Sequence, residues 1–159
     1  GWLYEGGIRV PMIVRWPGRI EAGSQNAGIT STIDIFPTIL ELRGWAQQEQ
    51  LFDGVSIAGE LLGNGQTEER AHYWHYPHYH KGSGMKPASA IRKGNYKLIE
   101  WHEAFLLGEP AWELYDLESD PGESQDLSER YPEIMEELRM DLHQWRVDTD
   151  AQMPILKPA

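Results

Sequence analysis

The strongest local constraint in this chain is a short turn, Lys93-Gly94-Asn95, set between two β-prone runs, Ser89 to Arg92 and Tyr96 to Trp101. Gly and Asn tolerate the positive φ that a tight hairpin needs, so the two runs are predicted to be antiparallel neighbours. Two further strand candidates flank them in sequence, His72 to Tyr76 and Trp112 to Leu117. A helix is predicted from about Pro132 to Arg146: proline suits the first helical position, and Ile134, Leu138, Leu142 and Trp145 recur at helical spacing as one apolar stripe. A sheet and a helix that each have one apolar face hide those faces against each other. The expected fold class is therefore α+β, a small antiparallel sheet of about four strands packed by the C-terminal helix.

The first half of the chain reads differently. Residues 8 to 16 are β-branched and end at Pro17-Gly18, which predicts a strand from about Met12 to Trp16. Val10 to Ile13 are apolar without interruption, the pattern of a central strand covered on both faces, yet no comparable strand follows. Residues 30 to 44 predict a helix with Asp34 as N-cap, Pro37 in the first turn, Gly44 as the left-handed stop, and a stripe of Phe36, Ile39 and Leu40. Residues 45 to 70 read as a connection with a helical turn near Ile57 to Leu62, which places a boundary at 69/70. An unpartnered strand exposes apolar surface and free backbone groups, so the isolated chain is expected to dimerise or exchange through residues 8–44.

At 159 residues and 40% hydrophobic content the chain can bury a core, and its longest apolar runs fall far short of a bilayer span of roughly 20 residues. A soluble chain without a membrane partner is expected. A formal charge of -11 argues against nucleic acid, which needs a basic face. The acidity is local: residues 1 to 99 hold nine acids and ten Lys or Arg, and residues 100 to 159 hold sixteen and four. The absence of cysteine excludes disulfides, thiolate metal sites and cysteine nucleophiles.

Tyr73-Trp74-His75-Tyr76-Pro77-His78-Tyr79-His80 is the most unusual segment. Pro77 prevents a helix from gathering its imidazoles, an extended strand sends His75 and His78 to opposite faces, and no carboxylate lies close in sequence. A metal site is not expected from it. Rings stack on pyranose faces and imidazoles donate to hydroxyl or sulfate oxygens, so His75, His78 and His80 are candidate sugar contacts. The competing reading is structural: Trp74 and Tyr76 pack under the C-terminal helix and the histidines serve as core hydrogen-bonders. Arg92 and Lys97 are weaker candidates, because cations in a hairpin are usually solvated. Glu5-Gly6-Gly7 reads as a turn across which Glu5 and Arg9 can pair. No phosphate loop, nucleophile elbow or zinc-protease motif occurs, and the Ser, His and Asp spacing identifies no triad.

Several segments together resemble one family. Tyr4-Glu5-Gly6-Gly7-Ile8-Arg9-Val10-Pro11, Trp16-Pro17-Gly18, Ile33 to Leu42 with Gly44, Asp53-Gly54-Val55-Ser56, Tyr73 to Tyr79, Ala90 to Ile99, and Glu113 to Leu117 with Asp120-Pro121 are similar, in order and spacing, to the later part of the formylglycine-dependent type I sulfatases. The resemblance implies that residues 1-69 end an alkaline-phosphatase-like α/β domain and residues 70-159 form the sulfatase C-terminal subdomain. It implies a parent sulfuric ester hydrolase acting on a sulfated carbohydrate, with formylglycine and calcium held elsewhere, since no Cys/Ser-x-Pro-x-Arg occurs here. The family's sulfate-binding lysine would fall one position before Gly1, so no catalytic and no metal residue carries over. His75, His78, His80 and Arg92 are the implied substrate contacts, and a periplasmic or secreted location is favoured. Two alternatives stay open: a stand-alone glycan-binding module, and a phosphoryl-transfer member of the same superfamily.

Overall fold

The computed structural model describes residues 2–45, 52–104 and 111–155. The chain divides into two compact units, one of Gly1–Val10 with Arg70–Ala159 and one of Pro11–Glu69.

The first unit is built on a four-stranded antiparallel meander in the order β1-β2-β3-β4, with β1 His72–Tyr76, β2 Ala88–Lys93, β3 Tyr96–Trp101 and β4 Trp112–Asp116. The expected hairpin is present: Lys93 pairs with Tyr96, and Gly94 takes φ +59. Strand alternation then sorts the side chains. Ile91, Leu98 and Leu114 face the long helix Pro132–Asp148, whose Leu138 and Leu142 complete that core with Ile134 and Trp145 at its edge. Tyr73 lies flat on Trp145, ring centroids 4.9 Å apart. The predicted stripe is therefore the packing stripe. Ala88, Ala90, Ile99, Trp101 and Tyr115 look the other way, toward an N-terminal strap of Trp2 to Arg9 that carries a one-turn helix, α1, Glu5–Ile8. Trp74 and Tyr76 join this second cluster. They pack on the strap face, not under the C-terminal helix, because the register His75↔Ser89 puts the odd residues of β1 on the helix side.

In the second unit a 3-10 turn Thr32–Asp34 leads into α2, Ile35–Leu42, and a short α3 spans Ala58–Leu62. Gly44 has φ +72, the expected left-handed stop. Asp34 occupies the N-cap position, but its fully buried carboxylate accepts the N–H groups of Ser31 at 2.7 Å and Val55 at 3.0 Å and makes no cap bond into α2. Gly54 is required at this crossing, since a Cβ there would lie 2.1 Å from the Ile33 carbonyl oxygen. Two expectations need correction. Met12 to Trp16 forms no strand, and Ile13 is 92% exposed. The stripe of α2 is also turned outward: Pro37 and Thr38 are buried, whereas Phe36 and Ile39 are exposed. A strand exists only through ladder bonds to a partner, and among the described residues this segment has none. No described helix is long and apolar enough to cross a membrane. The remaining helix, Pro132–Asp148, is α4.

Candidate functional site

Pro77 ends β1 and starts a loop that returns to β2, closed where the His80 N–H donates to the Met85 carbonyl at 3.0 Å. From residue 71 to residue 99 the sequence contains no Asp or Glu. The loop therefore combines imidazoles and aromatic rings with an excess of positive charge.

The three histidines singled out by sequence occupy different settings. His75 is half-buried: its Nε2 faces the Gln152 carbonyl at 2.8 Å and its Nδ1 faces Ser89 Oγ at 2.7 Å. Ser89 Oγ in turn lies 3.0 Å from His102 Nε2. One neutral arrangement satisfies all three contacts. His75 Nε2–H donates to the carbonyl, Ser89 donates to His75 Nδ1, and His102 Nε2–H donates to Ser89. Burial first, then the Arg146 guanidinium and His75, hold His102 down to about 4, which keeps it neutral. Ser89 has no exposed surface, so this serine between two imidazoles is a structural link and not an accessible nucleophile.

His78 and His80 are exposed. His78 stands edge-on to Tyr76 at 5.8 Å. The Nδ1 of His80 accepts the Ser83 N–H at 3.1 Å, which leaves its proton on Nε2 as a donor with no partner among the described residues. No group of three or more His, Asp or Glu among the described residues is arranged to hold a metal. The described residues offer no fit for calcium.

Arg92 and Lys97 sit directly opposite each other on β2 and β3, on the face under the strap. Two cations so placed repel unless an anion is inserted. Glu5 of the strap supplies it, with Oε2 3.2 Å from Arg92 and Oε1 3.2 Å from Lys97. Glu123 adds a second carboxylate 2.7 Å from Lys97 and accepts the backbone N–H of Glu5. Lys97 is fully buried, contrary to the expectation of a solvated hairpin cation. Arg9 reaches the same Glu5 at 3.9 Å from an exposed position. Glu123 achieves its position from a left-handed backbone, φ +54, after Asp120-Pro121-Gly122. Strap and sheet are joined again where the Tyr4 and Tyr115 hydroxyls donate to Glu113 at 2.7 and 3.0 Å, and burial with that carboxylate pushes both phenols far up.

Ser89, His102, Glu113 and Glu123 escaped the sequence reading. Glu113 stands in one of the segments that carry the resemblance, but no spacing assigns a role to any of the four, and each acquires its role from a strand register or a turn. Chemically, the outward groups can stack on a ring and donate to oxygen. On the same loop the Ser83 hydroxyl lies 2.9 Å from His80 Nδ1, the nitrogen that also accepts the Ser83 N–H, so this pair holds the His80 ring in place.

Residues 1–148 match the family described as N-sulphoglucosamine sulphohydrolase, C-terminal. An uncharacterized sulfatase of Schizosaccharomyces pombe is 36% identical over 143 residues, covering 87% of this chain and 25% of that protein. The N-acetylglucosamine-6-O-sulfatase of Bacteroides thetaiotaomicron is 31% identical over 135 residues, covering 80% of this chain and 23% of that protein. A protein solved in complex with its substrate D-glucosamine-2-N,6-O-disulfate superposes with a TM-score of 0.70 at 28% identity, covering 89% of this chain and 29% of that one. The chain thus spans about a quarter of the length of the curated relatives it matches. With the match running from the strap through the helix that backs the sheet, this chain belongs to the N-sulphoglucosamine sulphohydrolase C-terminal family of sulfatases.

Proposed function

We propose that this chain is the C-terminal part of a sulfuric ester hydrolase acting on a sulfated carbohydrate, and that it supplies structure and substrate recognition while the ester-cleaving groups lie in the rest of the longer protein. The observation that carries this reading is the family match over residues 1–148 together with coverage of only 25% and 23% of two curated sulfatases. Formylglycine and calcium belong, in this reading, to the part of the protein outside these residues, and a periplasmic or secreted location follows from the same family. Residues 1-69 are proposed to close an alkaline-phosphatase-like α/β domain and residues 70-159 to form the C-terminal subdomain. The exposed apolar side chains Ile13, Phe36 and Ile39 support this, since they are surface that a larger sheet domain would cover. In the chain by itself the same surface is proposed to drive dimerisation through residues 8–44, which a monodisperse monomer at high concentration would overturn.

The four residues proposed for recognition divide into two roles. His78 and His80 face outward as donors and ring contacts, whereas His75 and Arg92 hold the frame through Ser89, Gln152 and Glu5. The test is paired. The 159-residue chain releases no sulfate from an aryl sulfate or a sulfated glucosamine, and the longer protein does, from an open reading frame that encodes Cys/Ser-x-Pro-x-Arg upstream. Sulfate release by the chain alone, or a longer protein without that motif, would overturn the reading.

A further inference from the structure

A groove of about 300 Å³ opens between the strap and the end of β1, lined by Trp2, Leu3, Gly7, Ile8, Tyr76 and His80. That volume is at the lower end of small-ligand sites. Its walls are fixed before any ligand arrives. The Trp2 indole donates its Nε1–H to the Ser83 carbonyl at 2.9 Å, stacks beside Tyr4 at 6.0 Å and meets Trp101 edge-on at 6.0 Å. Gly7 makes the placement possible, because a Cβ there would lie 2.0 Å from the Trp2 carbonyl oxygen. Ser83 also fixes His80, through the bond from its N–H to Nδ1, and so presents the free Nε2–H donor at the groove.

The loop beside the groove carries two lysines, and the Glu103 carboxylate meets it at Tyr79. Lys81 and Lys86 lie on the same loop, are exposed, and make no ion pair among the described residues. The other cations of the acid-free stretch are occupied: Arg92 and Lys97 by Glu5 and Glu123, and Lys93 by Glu137 and Asp141. Among the cations of the acid-free stretch, the two lysines of the loop beside the groove are the ones left without a carboxylate partner among the described residues. Indole and phenol faces favour the C–H face of a pyranose, an imidazole N–H and nearby ammonium groups favour hydroxyl and sulfate oxygens, and the apolar floor disfavours a free inorganic ion.

We infer that the Trp2–Tyr76–His80 groove is a binding subsite for one pyranose ring of a sulfated saccharide, with Lys81 and Lys86 drawing in the sulfate. This rests on the sulfated-carbohydrate reading above and adds to it a platform on the N-terminal strap. The test is direct binding to the 159-residue chain, independent of turnover, followed by NMR with glucosamine 6-sulfate, unsulfated glucosamine and sodium sulfate as probes. Glucosamine 6-sulfate produces saturable shifts at the Trp2 indole N–H and the His80 ring, and each half-probe binds at least several-fold more weakly. Trp2→Ala weakens binding about tenfold and Trp2→Phe retains most of it, as expected for a stacking contact. Lys81→Ala with Lys86→Ala weakens the sulfated probe and leaves glucosamine unchanged.

Because Trp2→Ala can loosen the strap, His80→Gln is the second variant. His80 is exposed and lies outside both cores, so it weakens binding without altering the amide spectrum of the sheet. Absence of shifts at Trp2 and His80 would overturn the inference, as would sodium sulfate binding as well as the sugar, or glucosamine binding as well as its sulfate. The two readings fail separately. A longer protein that releases sulfate while this groove stays silent removes the groove alone, and a groove that binds in a protein without sulfatase activity removes the hydrolase reading.

Discussion

The two units of this chain use similar apolar material to different ends. In the sheet unit Ile91, Leu98, Ile99, Leu114 and Leu142 are almost wholly removed from water, and even its buried lysine is matched by carboxylates. In the unit of Pro11–Glu69 several large apolar side chains lie outside: Ile13, Phe36, Ile39 and Trp45 are all more than half exposed. Its interior combines Ile57, Ala58 and Pro37 with two buried polar groups, the Asp34 carboxylate and Thr38, whose hydroxyl donates to the Asp34 carbonyl and accepts the Ile57 N–H. An apolar pattern specifies burial only where the chain also supplies the opposing surface. A meander with a helix does so locally, and a single strand with a single helix does not.

Substitutions should separate the units. The largest expected effect is Lys97→Met, which leaves the buried Glu123 carboxylate without its cation and Glu5 with its arginines alone, and costs about 3–5 kcal/mol. Urea unfolding followed by circular dichroism measures it, and a near-neutral result would mean that the strap is not held by this network. Leu142→Ala opens a cavity between α4 and the sheet and costs about 2–5 kcal/mol in the same assay. In the other unit Gly54→Ala forces a Cβ against the Ile33 carbonyl and costs about 1–3 kcal/mol. Amide exchange should accelerate at Asp34, Val55 and Ile57 and stay unchanged in β2 and β3; acceleration in both would break the division into two units.

Acid should act on the sheet unit through His102. Unfolded, this ring takes up a proton near its ordinary value of 6.5, whereas in the fold it stays neutral down to about 4. The stability it contributes is complete above 6.5, is lost as pH falls toward 4, and changes no further below that. Allowing for solvent screening, the loss is on the order of 1–2 kcal/mol between pH 7 and 5. His102→Asn should flatten that difference relative to the parent chain. The smallest effect is expected from Ile39→Thr, which stays within about 0.5 kcal/mol because the side chain is already in water. A cost of several times that would show that α2 hides this face in the chain by itself.

Much of the sheet unit was legible because its signals are local. The Gly94-Asn95 turn, the strand alternation and the 4-4-3 spacing of Ile134, Leu138, Leu142 and Trp145 each involve residues close in sequence. The proposed recognition segment was legible as a cluster of rings, but not in its roles. His75 was committed to Ser89 and Gln152 by a register no spacing rule contains, and Trp2 reached the groove only because Gly7 lets the strap fold back. Met12 to Trp16 was misread for the opposite reason: its β propensity is real, but propensity without a ladder partner does not make a strand.

By itself, then, the sequence determined the α+β class, the hairpin, the helix that backs the sheet, and the family resemblance, all properties of neighbouring residues or ordered motifs. Only the tertiary structure decided which cations are buried and which remain free, which histidine nitrogens are left to donate, and that the strap shares a core with a sheet some seventy residues away. Those outcomes depend on which groups meet across the fold, where burial makes an unpaired charge or donor costly and so selects the partner.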